Sequence, residues 1–92
     1  MNKINILSDA YRFYFDRAIY ALKISDCTMT TKNIIAAAEI LLSSAAESTG
    51  IVKVKKLKIV RELYGLLNDI SKHTNIQDLQ KKAFYIYQMN AE

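Results

Sequence analysis

Residues 3–24 read KINILSDAYRFYFDRAIYALKI, and the order of apolar and polar side chains in this stretch decides the fold. Leu7, Tyr11, Tyr14, Ala18, Ala21 and Leu22 recur at three- and four-residue steps, the period of one face of an α-helix. Asn5, Asp9, Arg12, Asp16 and Lys23 form the opposite, wet stripe. Asp9 with Arg12 and Arg12 with Asp16 sit at helical pair spacings, each pair contributing about 0.2–0.5 kcal/mol. The spacing therefore predicts a first helix over Lys3–Ile24.

Three breaks follow. Short polar side chains from Ser25 to Thr31 compete for backbone hydrogen bonds and favour turns and caps. Ser48-Thr49-Gly50 offers a glycine for the left-handed residue that ends a helix. His73-Thr74-Asn75 forms the third break, and Thr74 with Gln77 has the capping-box spacing. Between the breaks, helices are predicted over Thr31–Glu47, Val52–Lys72 and Ile76–Met89. The second buries Ile34, Ala37, Ala38, Leu41 and Ala45, and its alanines let a neighbour approach closely. The third buries Leu57, Val60, Leu63, Tyr64, Leu67 and Ile70; the fourth buries Ile76, Leu79, Ala83, Ile86 and Tyr87. Short connections force successive helices antiparallel, so the expected fold is all-α: an antiparallel up-down four-helix bundle, one domain over residues 1–92.

Composition agrees. The 92 residues include no proline and two glycines, too few tight-turn residues for an all-β domain. One cysteine and one histidine exclude a disulfide framework and metal sites built on His and Cys clusters. No apolar run approaches the roughly 20 residues that span a bilayer, and Met1–Leu7 lacks the pattern of a secretory signal. A cytoplasmic location is expected. The net charge of +4 permits an acidic partner, a membrane surface or nucleic acid without demanding any of them.

Two features stand outside the bundle pattern. Helix one carries a second apolar stripe, Ile6, Phe13, Tyr20 and Ile24, of which the first three are seven residues apart. Either it docks a partner segment or a second copy, or helix one touches two neighbours and buries both stripes. Ile35 with Leu42, and Ile59 with Leu66, repeat the off-face pattern in helices two and three. A domain this small encloses every helix only with difficulty, which favours an exposed apolar patch. The second feature is the basic run Lys53, Lys55, Lys56 and Lys58, extended by Arg61. Cations at a helix N-terminus oppose the macrodipole. The run is a solvated face or a dock for an acidic protein; no recognition-helix pattern or stacking platform accompanies it, which argues against nucleic acid.

The remaining chemistry is sparse. Tyr11, Tyr14, Tyr64 and Tyr87 are expected inward, Tyr20 and Tyr85 outward. His73 reads as a helix-end residue, Cys27 as a bystander thiol in a polar loop, and the aspartates share no interior face. No catalytic constellation or cofactor site can be assembled, so the chain reads as non-enzymatic.

Three stretches carry a family resemblance: Tyr14-Phe15-Asp16-Arg17-Ala18-Ile19-Tyr20-Ala21-Leu22-Lys23, Lys32-Asn33-Ile34-Ile35-Ala36-Ala37-Ala38-Glu39-Ile40-Leu41, and Leu63-Tyr64-Gly65-Leu66-Leu67. Their order resembles the flagellin-specific export chaperones of bacterial flagella. Members of that family have an amphipathic first helix, a short polar loop, an asparagine-isoleucine-alanine-rich helix and a third helix with a Leu-Tyr pair. They are usually longer, with a leader before helix one, and Tyr85-Ile86-Tyr87-Gln88-Met89 replaces their aromatic-ended last helix. The resemblance implies a bundle that holds an aggregation-prone helical segment of a partner protein, rather than flagellin itself. The alternative on size and charge is a bacteriocin-immunity-type bundle.

Overall fold

The computed structural model describes residues 6–91. The predicted first turn at Lys3–Asn5 lies outside them. Four helices follow one another: α1 (Asp9–Lys23), α2 (Cys27–Ala46), α3 (Gly50–Ser71) and α4 (Ile76–Ala91). They form an antiparallel up-down bundle, and no strand occurs among the described residues. α1 packs on α2 and α4, and α3 packs on α2 and α4; the backbones of the diagonal pairs stay more than 8 Å apart, Cα to Cα. The backbones of α1 and α2 run close together, whereas α4 stands further from α1. Alanine explains the close pair: Ala18 and Ala21 on α1 and Ala37 and Ala38 on α2 are all fully buried.

Capping moves two predicted boundaries. α1 begins at Asp9 because Ser8 is extended and its hydroxyl accepts the Tyr11 N–H at 3.1 Å. α2 begins at Cys27 rather than Thr31. The Asp26 carboxylate accepts the Met29 N–H at 2.9 Å, and the Thr30 hydroxyl donates to the Asp26 carbonyl at 2.7 Å. The polar cluster that reads as a loop is thus the cap and first turn of a helix, and Cys27 is an exposed helical residue. At α4, Asn75 rather than Thr74 caps, its side-chain oxygen accepting the Gln77 N–H at 2.7 Å.

The helix ends differ from expectation too. Gly50 does take the left-handed conformation, at φ 61°, but as the first residue of α3. The residues that terminate helices this way are Ser25 (φ 59°) and His73 (φ 58°). Ser25 N–H donates to Leu22 O and Asp26 N–H to Ala21 O; His73 N–H donates to Ile70 O and Thr74 N–H to Asp69 O. Both are Schellman motifs with a non-glycine residue at the left-handed position. Replacing Ser25 or His73 by glycine should therefore raise stability by about 0.5–1 kcal/mol each. Thermal unfolding measures this, and a loss of stability would show that the side chains contribute more than the strain costs.

The core corrects the predicted faces. On α1 it is Phe15, beside Tyr11 and Ala18, that is buried, while Tyr14 is half-buried. α3 is turned relative to expectation: Lys56, Ile59, Val60, Leu63 and Leu66 face inward, and Leu57 and Tyr64 are exposed. The pair Ile59 and Leu66 is thus core, not an outer stripe. Two polar contacts accompany this rotation. Lys56 Nζ donates to Ser44 Oγ at 2.7 Å and Ser48 Oγ at 2.8 Å on α2, and Glu62 pairs with Lys82 of α4 at 3.4 Å. The Lys82 ammonium lies over Gly65, where a Cβ would sit 3.1 Å from it. On α4, Met89 is buried and Tyr87 is exposed, reversing the expected inward place of the tyrosine.

Tyr11 is fully buried, stacks on Phe15 and donates from its hydroxyl to Asn90 Oδ1 at 2.9 Å, tying α1 to the last turn of α4. Burial pushes its phenol well above the ordinary tyrosine range. The unfolded chain ionises this phenol above about pH 10, while the folded chain keeps the proton. Its contribution to stability is complete below that pH and falls as pH rises, by up to about 1.4 kcal/mol per pH unit. Tyr11→Phe should flatten this alkaline decline in urea titrations run between neutral and high pH. An unchanged slope would show that Tyr11 ionises without unfolding.

Candidate functional site

With the core side of α1 occupied, its outer side carries the second stripe. Phe13, Tyr20 and Ile24 are 54%, 61% and 54% exposed. Their position follows from helical geometry: at 100° per residue they lie nearly opposite Tyr11, Ala18 and Leu22. Ile6 does not join them. It precedes the Ser8 cap, outside the helix, and is half-buried against the core.

Arg17 stands between Phe13 and Tyr20, its guanidinium 5.4 Å from the Phe13 ring centroid. The Phe13 ring meets Tyr14 edge-on at 5.2 Å. Phe13, Asp16, Arg17, Tyr20 and Met29 line a depression of about 360 Å³ at the start of α2. This surface is apolar with one cation, Arg17, and one anion, Asp16, at its edge.

On the other flank of α1, the stand-off of α4 leaves a second groove of about 460 Å³. Ile19, Leu22, Ala83, Phe84 and Tyr87 line it, with Lys23 and Gln80 at one end. Phe84 and Tyr87 are exposed and stacked, with ring centroids 6.4 Å apart and planes 10° from parallel. Sequence reasoning missed this groove. Its signal was the Phe84–Tyr87 pair, three residues apart on a helix whose core needs neither ring.

The basic run is divided by the fold. Lys53, Lys58 and Arg61 are exposed and Lys55 is half-buried, whereas Lys56 is only 7% exposed and bonded to two serines. Lys56 is therefore a structural residue, removed from any docking face. Nor does the fold bring the run to the α1 stripe, since α1 and α3 are diagonal partners. Ile35 and Leu42 remain exposed on α2.

Among the described residues no three His, Cys, Asp or Glu side chains come together as metal ligands, and no helix is long and apolar enough to cross a membrane. Comparison with protein-family models, curated proteins and solved structures finds no match.

Proposed function

We propose that this chain is a non-enzymatic, cytoplasmic helical bundle that binds protein, holding an apolar helical or disordered segment of a partner against α1 in the manner of an export chaperone. The observation that supports this reading is the exposure of Phe13, Tyr20 and Ile24 along one side of α1. A row of large apolar side chains seven and four residues apart matches the repeat of an amphipathic helix laid alongside. Two exposed aromatics suit it further, because aromatic anchors dominate binding energy at interfaces. The α1–α4 groove beside it adds Phe84 and Tyr87 to the same reading.

Co-expression with the products of neighbouring genes, followed by gel filtration and affinity measurement, tests the proposal. Phe13→Asp and Tyr20→Asp should each weaken the complex by about 2 kcal/mol or more, roughly 30-fold. Monomer stability should stay within about 0.5 kcal/mol, as for other exposed sites. A complex that forms equally well with both variants would overturn the assignment to α1.

A further inference from the structure

The outer face of α3 has a different character from α1. Over its first three turns, Ile51, Val54 and Leu57 point away from the core, and Ile51 and Val54 are 83% and 65% exposed. Lys53, Lys58 and Arg61 are exposed among them. No acidic residue occurs between Glu47 and Glu62, and Glu62 turns aside to Lys82 of α4. α3 therefore contributes aliphatic and cationic side chains to this face and, before Glu62, no acidic one.

This arrangement does not stabilise the start of α3. α1 and α2 start with a capping side chain, Ser8 and Asp26, whereas α3 has neither a side-chain cap bond nor an acid in its first turn. Cations there oppose the helix dipole. Aliphatic side chains this exposed likewise leave apolar surface in water.

We infer that this face of α3 docks on the surface of an anionic lipid bilayer, with Ile51 and Val54 entering the headgroup boundary and Lys53, Lys58 and Arg61 meeting lipid phosphates. The match is one of charge and shape. Cations beside an aliphatic row are what an interfacial helix presents to anionic lipid, and the two contributions act together. Ile51 and Val54 border a shallow depression of about 230 Å³ between α3 and Met89 of α4, yet both side chains stay mostly in solvent. A depression this small falls below the size of pockets that enclose a ligand, whereas a fluid interface admits a protruding aliphatic row. The contact is superficial, as no described helix is long and apolar enough to cross a membrane. It is separate from the α1 surface, which lies on the diagonally opposite helix.

Co-sedimentation with vesicles of phosphatidylcholine containing phosphatidylglycerol, beside vesicles of phosphatidylcholine alone, tests the inference. The chain should bind the first and not the second, with affinity falling as salt rises. Lys53→Gln, Lys58→Gln and Arg61→Gln should each lower partitioning about fivefold. Ile51→Ser combined with Val54→Ser should lower it about tenfold with every cation retained. Circular dichroism should be unchanged in each variant. Phe13→Asp should bind vesicles as the parent does, so that failure here and failure of the α1 reading are told apart. Absence of binding to the anionic vesicles would overturn the inference. So would full binding by the Ile51→Ser, Val54→Ser variant, which would show adsorption by charge alone. Loss of an acidic protein partner from the glutamine variants, without vesicle binding, would assign the face to protein instead.

Discussion

Replacing Phe15 by alanine should cost about 3–5 kcal/mol of unfolding free energy, the usual range for a buried phenylalanine. The same change two residues earlier, Phe13→Ala, should stay within about 0.5 kcal/mol. The contrast arises because successive residues of a helix point 100° apart. Phe15 is buried against Tyr11 in the centre of the bundle, while the Phe13 ring is over half exposed beside Arg17. A domain of this size has a total stability of about 5–14 kcal/mol. The Phe15 variant therefore loses a large part of it, and its denaturation midpoint should fall steeply at constant slope. Urea titrations of both variants at low protein concentration check this. An equally large loss for Phe13→Ala would mean that the outer side of α1 is covered in the monomer, and the docking surface would disappear with it.

Phe15 also shows where the sequence ceases to be legible. The number, order and approximate span of the helices follow from periodicity and from three polar breaks, because those signals are local. Which side of each helix turns inward is a property of its neighbours. Tyr14 and Phe15 both fit an apolar face on α1, and only the placement of α2 and α4 selects Phe15 for the core. α3 offered two overlapping stripes, one through Leu57 and Tyr64 and one through Ile59 and Leu66. The bundle buries the second, with Val60 and Leu63, and that rotation also brings Lys56 to Ser44 and Ser48 and Glu62 to Lys82. Turns were misread for a related reason. Asp26 and Thr30 are equally at home in a loop or a helix cap, and the left-handed residues at Ser25 and His73 carry no glycine to announce them. Of the candidate site, Phe13, Tyr20 and Ile24 were legible because they form a row on one helix. The Phe84–Tyr87 groove was not, since it exists only where α4 stands away from α1.

Lys56 carries the second large effect. Lys56 is buried, and among the described residues its ammonium meets hydroxyls rather than a carboxylate, so it is not stranded. It donates to the hydroxyls of Ser44 and Ser48, and the Ser48 hydroxyl in turn donates to the Ser44 carbonyl at 2.8 Å. These groups lie at the C-terminal end of α2, where the helix dipole favours a cation and where α2 has no basic residue of its own in its last turn. Lys56 therefore supplies from α3 the charge that α2 lacks. Removing both hydroxyls, by Ser44→Ala with Ser48→Ala, leaves the ammonium desolvated without partners and should cost about 2–4 kcal/mol. Lys56→Met keeps the length of the side chain and removes the charge, so it should cost less, about 1–2 kcal/mol. The informative variant carries all three changes. With no ammonium left to satisfy, loss of the hydroxyls should add little, and the total should fall at least about 1 kcal/mol short of the sum. Denaturation of the four proteins completes the cycle. Strict additivity would mean that the lysine and the serines stabilise the bundle independently, and would return Lys56 to the solvated run in which its sequence neighbours place it.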